Sequence, residues 1–156
     1  MLDDNKWMAR ALELAQKAAD VGEVPVGAVL VRDARVIGEA HNAPILSNDA
    51  SAHAEILAIR AACKAVQNYR LPNTTLYVSL EPCAMCAGAL VHARVSRVVI
   101  AAKEPRAGAG GSVLNVLQNS QLNHRCEVEF GLMEEQSASM LKAFFRARRK
   151  QSNKNQ

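Results

Sequence analysis

Residues 74–90 read TTLYVSLEPCAMCAGAL, and this stretch contains the features on which the fold assignment depends. Thr74–Leu80 is a run of β-branched and apolar residues, which predicts a buried strand. A proline follows, and helix-forming residues then extend from Cys83 to Ala93, so we predict a helix directly after the strand. Cys83 and Cys86 lie three positions apart at the start of this helix. Two thiolates at this spacing can bind one metal ion but leave its coordination shell incomplete.

Helical and strand patterns alternate along the rest of the chain. Ser51 is a candidate N-cap for the second helix, and the first two strands form a predicted hairpin. The segments 42–51 and 103–112 are predicted loops because Asn, Pro, Ser and Gly are frequent there. The predicted elements are helices over 4–21, 52–66, 83–93 and 134–150, strands over 26–31, 36–40, 74–80, 96–102 and 127–130, and a short apolar turn, counted as a short helix, over 113–117.

This order of elements predicts an α/β protein. We expect three layers, α/β/α, in which one mixed five-stranded sheet is covered by helices on both faces. The chain has 156 residues and 49% hydrophobic residues, which fits a single domain over residues 1–156 with a frayed end over 151–156. The polar start MLDDNKW is no secretory signal, and no apolar run is long enough to span a membrane. We therefore expect a cytoplasmic protein, in which paired cysteines favour metal or redox chemistry over disulfides.

His53 and Glu55 are the residues that could complete the site. His53 lies at the predicted start of one helix, as Cys83 does at another, and Glu55 follows His53 by two positions. Zinc accepts imidazole nitrogen and thiolate sulfur, and a site with three protein ligands and an open fourth position is typical of catalysis. The positive ends of the two helices favour the thiolate forms and keep the ion Lewis-acidic. Glu55 is then free to carry protons.

Each of these residues has a commoner explanation when it is taken singly. A CxxC pair is more often half of a structural zinc site or a redox pair, and a histidine or glutamate at a helix start usually acts as a cap or interacts with the dipole. A structural site needs two further ligands, but Cys63 and Cys126 stand alone at unrelated spacings. A redox pair has no need of a His-x-Glu motif. The combination of the two motifs therefore favours a catalytic zinc site.

This combination resembles the signature of zinc-dependent nucleobase deaminases, in which His-x-Glu is followed later by Pro-Cys-x-x-Cys. Three segments extend the resemblance to the bacterial tRNA-specific adenosine deaminase family: Glu23–Val31 (EVPVGAVLV), Thr74–Leu90 (quoted above) and Phe144–Arg149 (FFRARR). The similarity covers about Trp7 to Arg149. It implies a cytidine-deaminase-like fold and a homodimer with each active site near the partner. Met85, Ala87, Gly88 and Ala89, in the helix after Cys83, suit close helix packing, and the small residues among them equally suit an ordinary core.

The resemblance also implies the chemistry. One Zn²⁺ per subunit is bound by His53, Cys83 and Cys86, with water in the fourth position. Glu55 takes a proton from that water, protonates N1 of adenine and then protonates the leaving amine, so that adenosine becomes inosine and ammonia departs. The implied substrate is the adenosine at the wobble position of a tRNA anticodon loop, because an unpaired or flipped base exposes the reacting atom.

Four further residues are implied in binding the base. Asn42 matches the position that hydrogen-bonds the base, although an asparagine before Pro44 equally suits a turn. Val24 and Pro25 line the pocket, and the backbone N–H of Ala54 reaches the substrate.

The predicted loop 103–112 departs from the pattern of the family. Glu104 stands where an aspartate is expected, Arg106 stands where a lysine is expected, and Pro105 stiffens the chain between them. If a carboxylate at Glu104 senses the ribose 2′-hydroxyl, the enzyme should prefer RNA to DNA.

The tail from Lys142 to Lys150 (KAFFRARRK) concentrates positive charge within a net charge of +4. We expect the two phenylalanines to anchor the last helix on the core, while Arg146, Arg148, Arg149 and Lys150 contact RNA phosphates. A solvated helix end stabilised by its own dipole fits the same residues.

Two other functions share many of these features. A deaminase of a free base or nucleoside, such as guanine, cytosine or cytidine, would use the same zinc ligands and Glu55. A non-catalytic RNA-binding zinc domain would have no use for an uncommitted carboxylate beside the ion. The basic tail and the EVPVGAVLV segment favour the tRNA deaminase.

Overall fold

The computed structural model of the protein describes residues 3–154. Among these residues, no helix is both long enough and apolar enough to cross a bilayer. The elements in chain order are α1 (Asp4–Asp20), β1 (Gly27–Arg32), β2 (Arg35–His41), α2 (Pro44–Ser47), α3 (Ala54–Val66), β3 (Thr75–Leu80), α4 (Ala84–His92), β4 (Arg97–Ala102), β5 (Glu127–Phe130) and α5 (Glu134–Lys154).

The five strands form one mixed sheet in the order β2-β1-β3-β4-β5. β1 pairs antiparallel with both β2 and β3, whereas β3, β4 and β5 run parallel to one another. The predicted hairpin and the mixed sheet are confirmed. Leu80 pairs with Ala102 at the carboxyl ends of β3 and β4, so the Cys-containing turn and the 103–112 segment leave the sheet at the same edge.

Helices cover both faces of the sheet, which confirms the predicted three layers. On one face, α1 packs its buried Met8, Ala11 and Leu14 on β1, β3 and β4, and α5 lies beside α1. On the other face, α3 and α4 bury small residues against the same strands. A Cβ at Gly38 would lie 2.4 Å from the Ala58 carbonyl oxygen, so the absent side chain lets β2 approach the α3 backbone closely.

The predicted loop 42–51 contains a short helix that the sequence analysis missed. Pro44 begins α2, and the buried carboxylate of Glu23 accepts hydrogen bonds from the N–H groups of Ile45 (3.2 Å) and Leu46 (2.8 Å). These bonds satisfy donors that a single helical turn leaves unpaired. The predicted Ser51 cap is wrong: α3 begins at Ala54 with His53 as its N-cap. The Ser51 hydroxyl donates to Asp49 instead.

Two further boundaries differ from the prediction. Residues 113–117 are not helical, because the N–H groups of Val113 and Leu114 donate to the Gly108 carbonyl and the chain folds back on the preceding loop. The helix α5 continues to Lys154, whereas a frayed chain was predicted from residue 151. Residues 151–154 (QSNK) contain no Gly or Pro, so nothing in this stretch stops the helix that the lysine- and arginine-rich residues before it favour. Residues 155 and 156 lie outside the described part of the chain.

Candidate metal centre and active site

Two helix N-termini bring the predicted ligands together. His53 is the N-cap of α3 and Cys83 is the N-cap of α4, both with extended backbone, and Cys86 lies in the first turn of α4. His53 Nδ1 lies 3.7 Å from Cys83 Sγ and 3.5 Å from Cys86 Sγ. All three candidate ligand atoms fall within 4.8 Å of one another. The sequence reasoning therefore identified three side chains that the fold gathers at one point.

The spacing of these atoms suits zinc. Tetrahedral coordination with ordinary Zn–N and Zn–S bond lengths separates the ligand atoms by about 3.5–3.8 Å, which matches the distances from His53 Nδ1 to the two sulfurs. Cys63 and Cys126 are not members of the group, so the described residues provide three ligands of this kind and not four. An imidazole and two thiols fit zinc better than magnesium or calcium, which prefer oxygen ligands.

The two thiols differ in acidity. A hydrogen bond from the Cys86 thiol lowers the pKa of Cys83 to about 5, and the backbone N–H groups of Cys86 and Met85 add to this effect against the opposing influence of burial. The pKa of Cys86 is raised, because its hydrogen bond to Cys83, its burial and the nearby Glu55 all favour the protonated form. The pair therefore holds one negative charge readily, at a helix N-terminus that favours anions.

Glu55 lies in the first turn of α3, directly behind the ligand group. Its side chain is almost fully buried, with 4% of the residue exposed. Burial raises the pKa of Glu55 to about 7, although its own backbone N–H opposes the shift by hydrogen bonding; the charge of Cys83 adds to the increase. A carboxyl group of this kind can both hold and release a proton near neutral pH.

The residues predicted to surround the base lie beside this group. The side chain of Asn42 is buried, and its Oδ1 accepts a hydrogen bond from the Ala54 N–H at 3.0 Å. A substrate that uses the Ala54 N–H must therefore replace this bond. The Asn42 N–H donates to the Val26 carbonyl oxygen at 3.0 Å, which places Asn42 next to the segment that contains half-buried Val24 and buried Pro25.

A cleft of about 720 Å³ lies between the 103–106 segment and α5. Half-buried Glu104 lines it, and one oxygen of this carboxylate accepts a hydrogen bond from the Arg106 N–H at 2.9 Å. His53, Cys83 and Cys86 do not line the cleft, although Leu80, three residues before Cys83, does. The cleft therefore adjoins the strand end that leads into the ligand group.

The basic tail divides into two groups. Arg146 and Arg149 line the cleft together with Lys103, Arg106 and Lys142. Arg148 lies elsewhere on α5, with its guanidinium carbon 5.2 Å from the centre of the Phe144 ring. Lys150 is exposed and does not line the cleft.

The predicted anchoring of α5 by its two phenylalanines is wrong for Phe145. This residue is 39% exposed and lines the cleft, where its ring meets that of half-buried Phe144 edge-on at 5.4 Å. The buried residue of α5 is Ser137, whose hydroxyl donates to the Ser79 carbonyl oxygen. The helix is therefore attached near its start, and its second half leaves an aromatic ring accessible among cations.

Sequence reasoning missed two buried carboxylates near the site. Glu23 caps α2, and Glu81 lies between β3 and Cys83 with only 2% of the residue exposed. Burial alone would raise the pKa of Glu81, but hydrogen bonds from Ser112, Glu104 and Gly110 hold it below the usual value. For Glu81, the available sequence signal was an acidic residue placed between an apolar strand and a proline.

Comparisons with known proteins identify the family of the chain. The MafB19-like deaminase family matches residues 2–149 of the chain. A tRNA-specific adenosine deaminase of Haemophilus influenzae is 50% identical over 95% of this chain and 86% of its own length. A tRNA-specific adenosine deaminase of Bacillus subtilis is 48% identical over 96% of this chain and 93% of its own length.

Solved structures give the same relationship. A structure from studies of A-to-I editing by tRNA:A34 deaminases at the wobble position of transfer RNA has a TM-score of 0.84 at 44% identity, and the match covers 87% of this chain and 99% of that one. The guanine deaminase of Bacillus subtilis is 42% identical but has a TM-score of 0.64 over 71% of each chain. The chain therefore belongs to the MafB19-like deaminases and to the tRNA-specific adenosine deaminase family.

Proposed function

We propose that the protein hydrolyses adenosine to inosine at the wobble position of a tRNA anticodon loop and releases ammonia. The observation that carries the proposal is the convergence of His53, Cys83 and Cys86 beside the buried Glu55. A structural metal site has no use for a buried, proton-carrying carboxyl group at this position. The relatives named above supply the substrate class, and the cationic cleft agrees with it.

His53, Cys83 and Cys86 would hold one zinc ion per subunit. Zinc in such a site acts as a Lewis acid and lowers the pKa of water toward neutrality. Glu55 accepts the proton of the attacking water, so that oxygen can add to C6 of adenine. It delivers this proton to N1, then takes the proton of the new C6 hydroxyl and passes it to the exocyclic amine. The C6–N bond breaks, ammonia leaves, and the C6 oxygen becomes the carbonyl of inosine. A pKa near 7 lets one carboxyl group act in both directions.

We infer that the base is bound by the residues around Asn42. The amide of Asn42 is buried and fixed by Ala54, so it can present a defined hydrogen-bonding group to a purine. Val24 and Pro25 provide the apolar wall beside it. Glu104 would contact the ribose, in which case a stem-loop with deoxyadenosine at the wobble position should react more slowly than the matched RNA.

The cleft along α5 is the proposed path of the RNA backbone. Five cations line it against the single carboxylate of Glu104, and the exposed ring of Phe145 offers a surface for base stacking. Arg146 and Arg149 lie on the wall of this cleft and would contact phosphates directly. Arg148 and Lys150 lie outside it and would add only to the general positive field.

An assay for inosine tests the proposed function. Zinc-loaded protein is incubated with an anticodon stem-loop that has adenosine at the wobble position, and the digested nucleosides are quantified by mass spectrometry. We expect inosine with the wild type and at least about 10²-fold slower formation with Glu55→Gln, whose zinc content should be unchanged. Free guanine, adenosine and cytidine are assayed in parallel. Ammonia from guanine alone would identify a free-base deaminase, as the similarity to a guanine deaminase would allow.

A protein that binds zinc and RNA but releases ammonia from no substrate would instead be a non-catalytic zinc domain. In that case Glu55→Gln should change neither zinc binding nor RNA binding. We expect the reaction in the cytoplasm, where tRNA is available and where the four cysteines, all free in the structure, stay reduced.

We also propose a homodimer, as the family resemblance implies. The outward face of α4 carries Met85, which is 41% exposed, and Gly88, beyond whose Cα there is open space. Such a face permits close approach of a second chain. The mass measured by light scattering after gel filtration tests this proposal, and a mass of one chain at micromolar concentration would contradict it.

A further inference from the structure

Glu81 is a buried carboxylate for which the proposed chemistry has no use. It follows β3 directly and precedes Cys83 by two positions, and only 2% of the residue is exposed. A buried carboxylate is costly unless hydrogen bonds replace its hydration. The partners of Glu81 therefore indicate what it does.

All of its hydrogen-bond donors come from the segment 104–112. Oε1 accepts from the Glu104 N–H at 3.0 Å and from the Ser112 hydroxyl, while Oε2 accepts from the N–H groups of Gly110 and Ser112, both at 3.0 Å. Each oxygen thus receives two hydrogen bonds. One side chain ties the beginning and the end of this loop to the turn that carries the metal ligands.

The backbone on either side of the carboxylate adds two more ties. The Glu81 N–H donates to the Ala102 carbonyl oxygen at 2.9 Å, and the Ala109 N–H donates to the Pro82 carbonyl oxygen at 2.8 Å. The loop also packs directly on the carboxylate at Gly108, where an added Cβ would lie 2.4 Å from Glu81 Cδ and 2.5 Å from Oε2. Glycine is therefore required at 108 for the loop to reach its anchor.

We propose that Glu81 is a positioning residue that fixes the 103–112 loop against the metal-ligand turn and thereby sets the affinity for RNA. The inference rests on the proposed function. Lys103, Glu104 and Arg106 line the cleft from this loop, so their positions depend on the anchor. Glu81 contacts no reacting atom in this scheme. Its loss should weaken binding of substrate and transition state alike, which raises KM and leaves kcat nearly unchanged.

Glu81→Gln is the most informative variant because it keeps the shape of the side chain. Both oxygens of Glu81 face two donors, so in either orientation the amide NH₂ replaces an acceptor of two hydrogen bonds and points at N–H or O–H groups. A Cβ at Gly108 would also lie 2.5 Å from the Glu104 carbonyl oxygen, so Gly108→Ala would distort the loop independently of Glu81. Ser112→Ala is the better second variant, because it removes the hydroxyl that donates to Oε1 and leaves the carboxylate in place. Glu127→Gln on the exposed face of β5 makes the same chemical change away from the site and serves as the control.

The test combines kinetics, zinc analysis and amide exchange. We expect Glu81→Gln to raise KM for the RNA stem-loop by about tenfold or more and Ser112→Ala to raise it by about fivefold, with kcat of both within about threefold of wild type. Zinc should remain at one per chain, and the amides of Glu104, Gly110 and Ser112 should exchange faster. If Glu81 had only a structural role, its replacement would lower the melting temperature without raising KM at nearly constant kcat.

Unchanged KM and unchanged exchange in zinc-loaded Glu81→Gln would overturn the inference, and so would a fall in kcat at constant KM. If Glu81→Gln does not fold or does not bind zinc, Ser112→Ala decides in the same way. Failure of the proposed function is distinguishable from failure of this inference. A wild type that makes no inosine refutes the function, whereas amide exchange still reports whether Glu81 holds the loop.

Discussion

The division of the basic tail leads to a quantitative prediction about RNA binding. Replacing Arg146 and Arg149 by alanine removes two of the five cations that line the cleft. A cation that neutralises a phosphate contributes about 0.7 to the slope of log K against log salt for single strands and about 0.9 for duplex. The double variant should therefore lower this slope by about 1.4–1.8. Between about 50 and 200 mM salt, the ratio of the RNA-binding constant of the wild type to that of the double variant should fall by about tenfold.

Fluorescence anisotropy of a labelled anticodon stem-loop measures this slope. The titrations use the Glu55→Gln background, so that the RNA is not converted during the measurement. Arg148→Ala is the matched control, because it removes one charge of the same helix whose guanidinium lies against Phe144 outside the cleft. We expect it to change the slope by well under about 0.7, the smallest value for one lost phosphate contact. An Arg148→Ala effect as large per residue as that of the double variant would refute the cleft as the RNA path.

Three further predictions concern catalysis, the metal and stability. Glu55→Gln should lower kcat by at least about 10²-fold, since no other described group at the site is placed to move the proton; circular dichroism and zinc content should match wild type. Chelation of zinc should abolish inosine formation and lower the melting temperature, and added zinc should restore both; activity that survives complete removal would contradict the assigned ligands. Hydrogen bonds from Arg97 hold the pKa of Asp4 below its usual value, so the contribution of Asp4 to stability is present above about pH 4 and is lost as pH falls through the folded-state pKa. Asp4→Asn should therefore lower the free energy of unfolding at pH 7 by about 1–2 kcal/mol, and denaturant titrations should show the difference narrowing below about pH 4.

The metal ligands could be predicted because their signals are local. The spacing of three indicates that Cys83 and Cys86 bind the same ion. The spacing of two at a predicted helix start places Glu55 close to the ligand His53. The strand β3 and the helix α4 were predicted for the same reason, since apolar period and a proline boundary mark both. The backbone of a helix N-cap has a well-defined geometry, so a ligand side chain at this position points in a defined direction.

The role of Phe145 could not be read in the same way. An aromatic pair on an amphipathic helix predicts burial, but burial depends on whether the helix lies over the sheet at that point. The helix α5 is attached through Ser137, eight residues earlier, and the described structure leaves Phe145 beside the cleft. Glu23 and Glu81 posed the same difficulty, because their partners lie at positions 45–46 and 104–112, which only the folded chain brings near.

The register of β3 and β4 explains how side chains of the 103–112 loop can be replaced without loss of the metal site. Leu80 pairs with Ala102, and Glu81, the residue after β3, donates its N–H to the Ala102 carbonyl oxygen. The ligand turn and the 103–112 loop therefore leave the sheet side by side, fixed at Glu104 and again at Ala109. Of the four residues between these anchors, Pro105, Arg106 and Ala107 are exposed and Gly108 is buried. The three exposed side chains can therefore change while the backbone ties to residues 81 and 82 remain. Pro105 and Arg106 lie within this span, where a change of side chain would alter what the proposed RNA substrate contacts and would leave the backbone around the metal ligands in place.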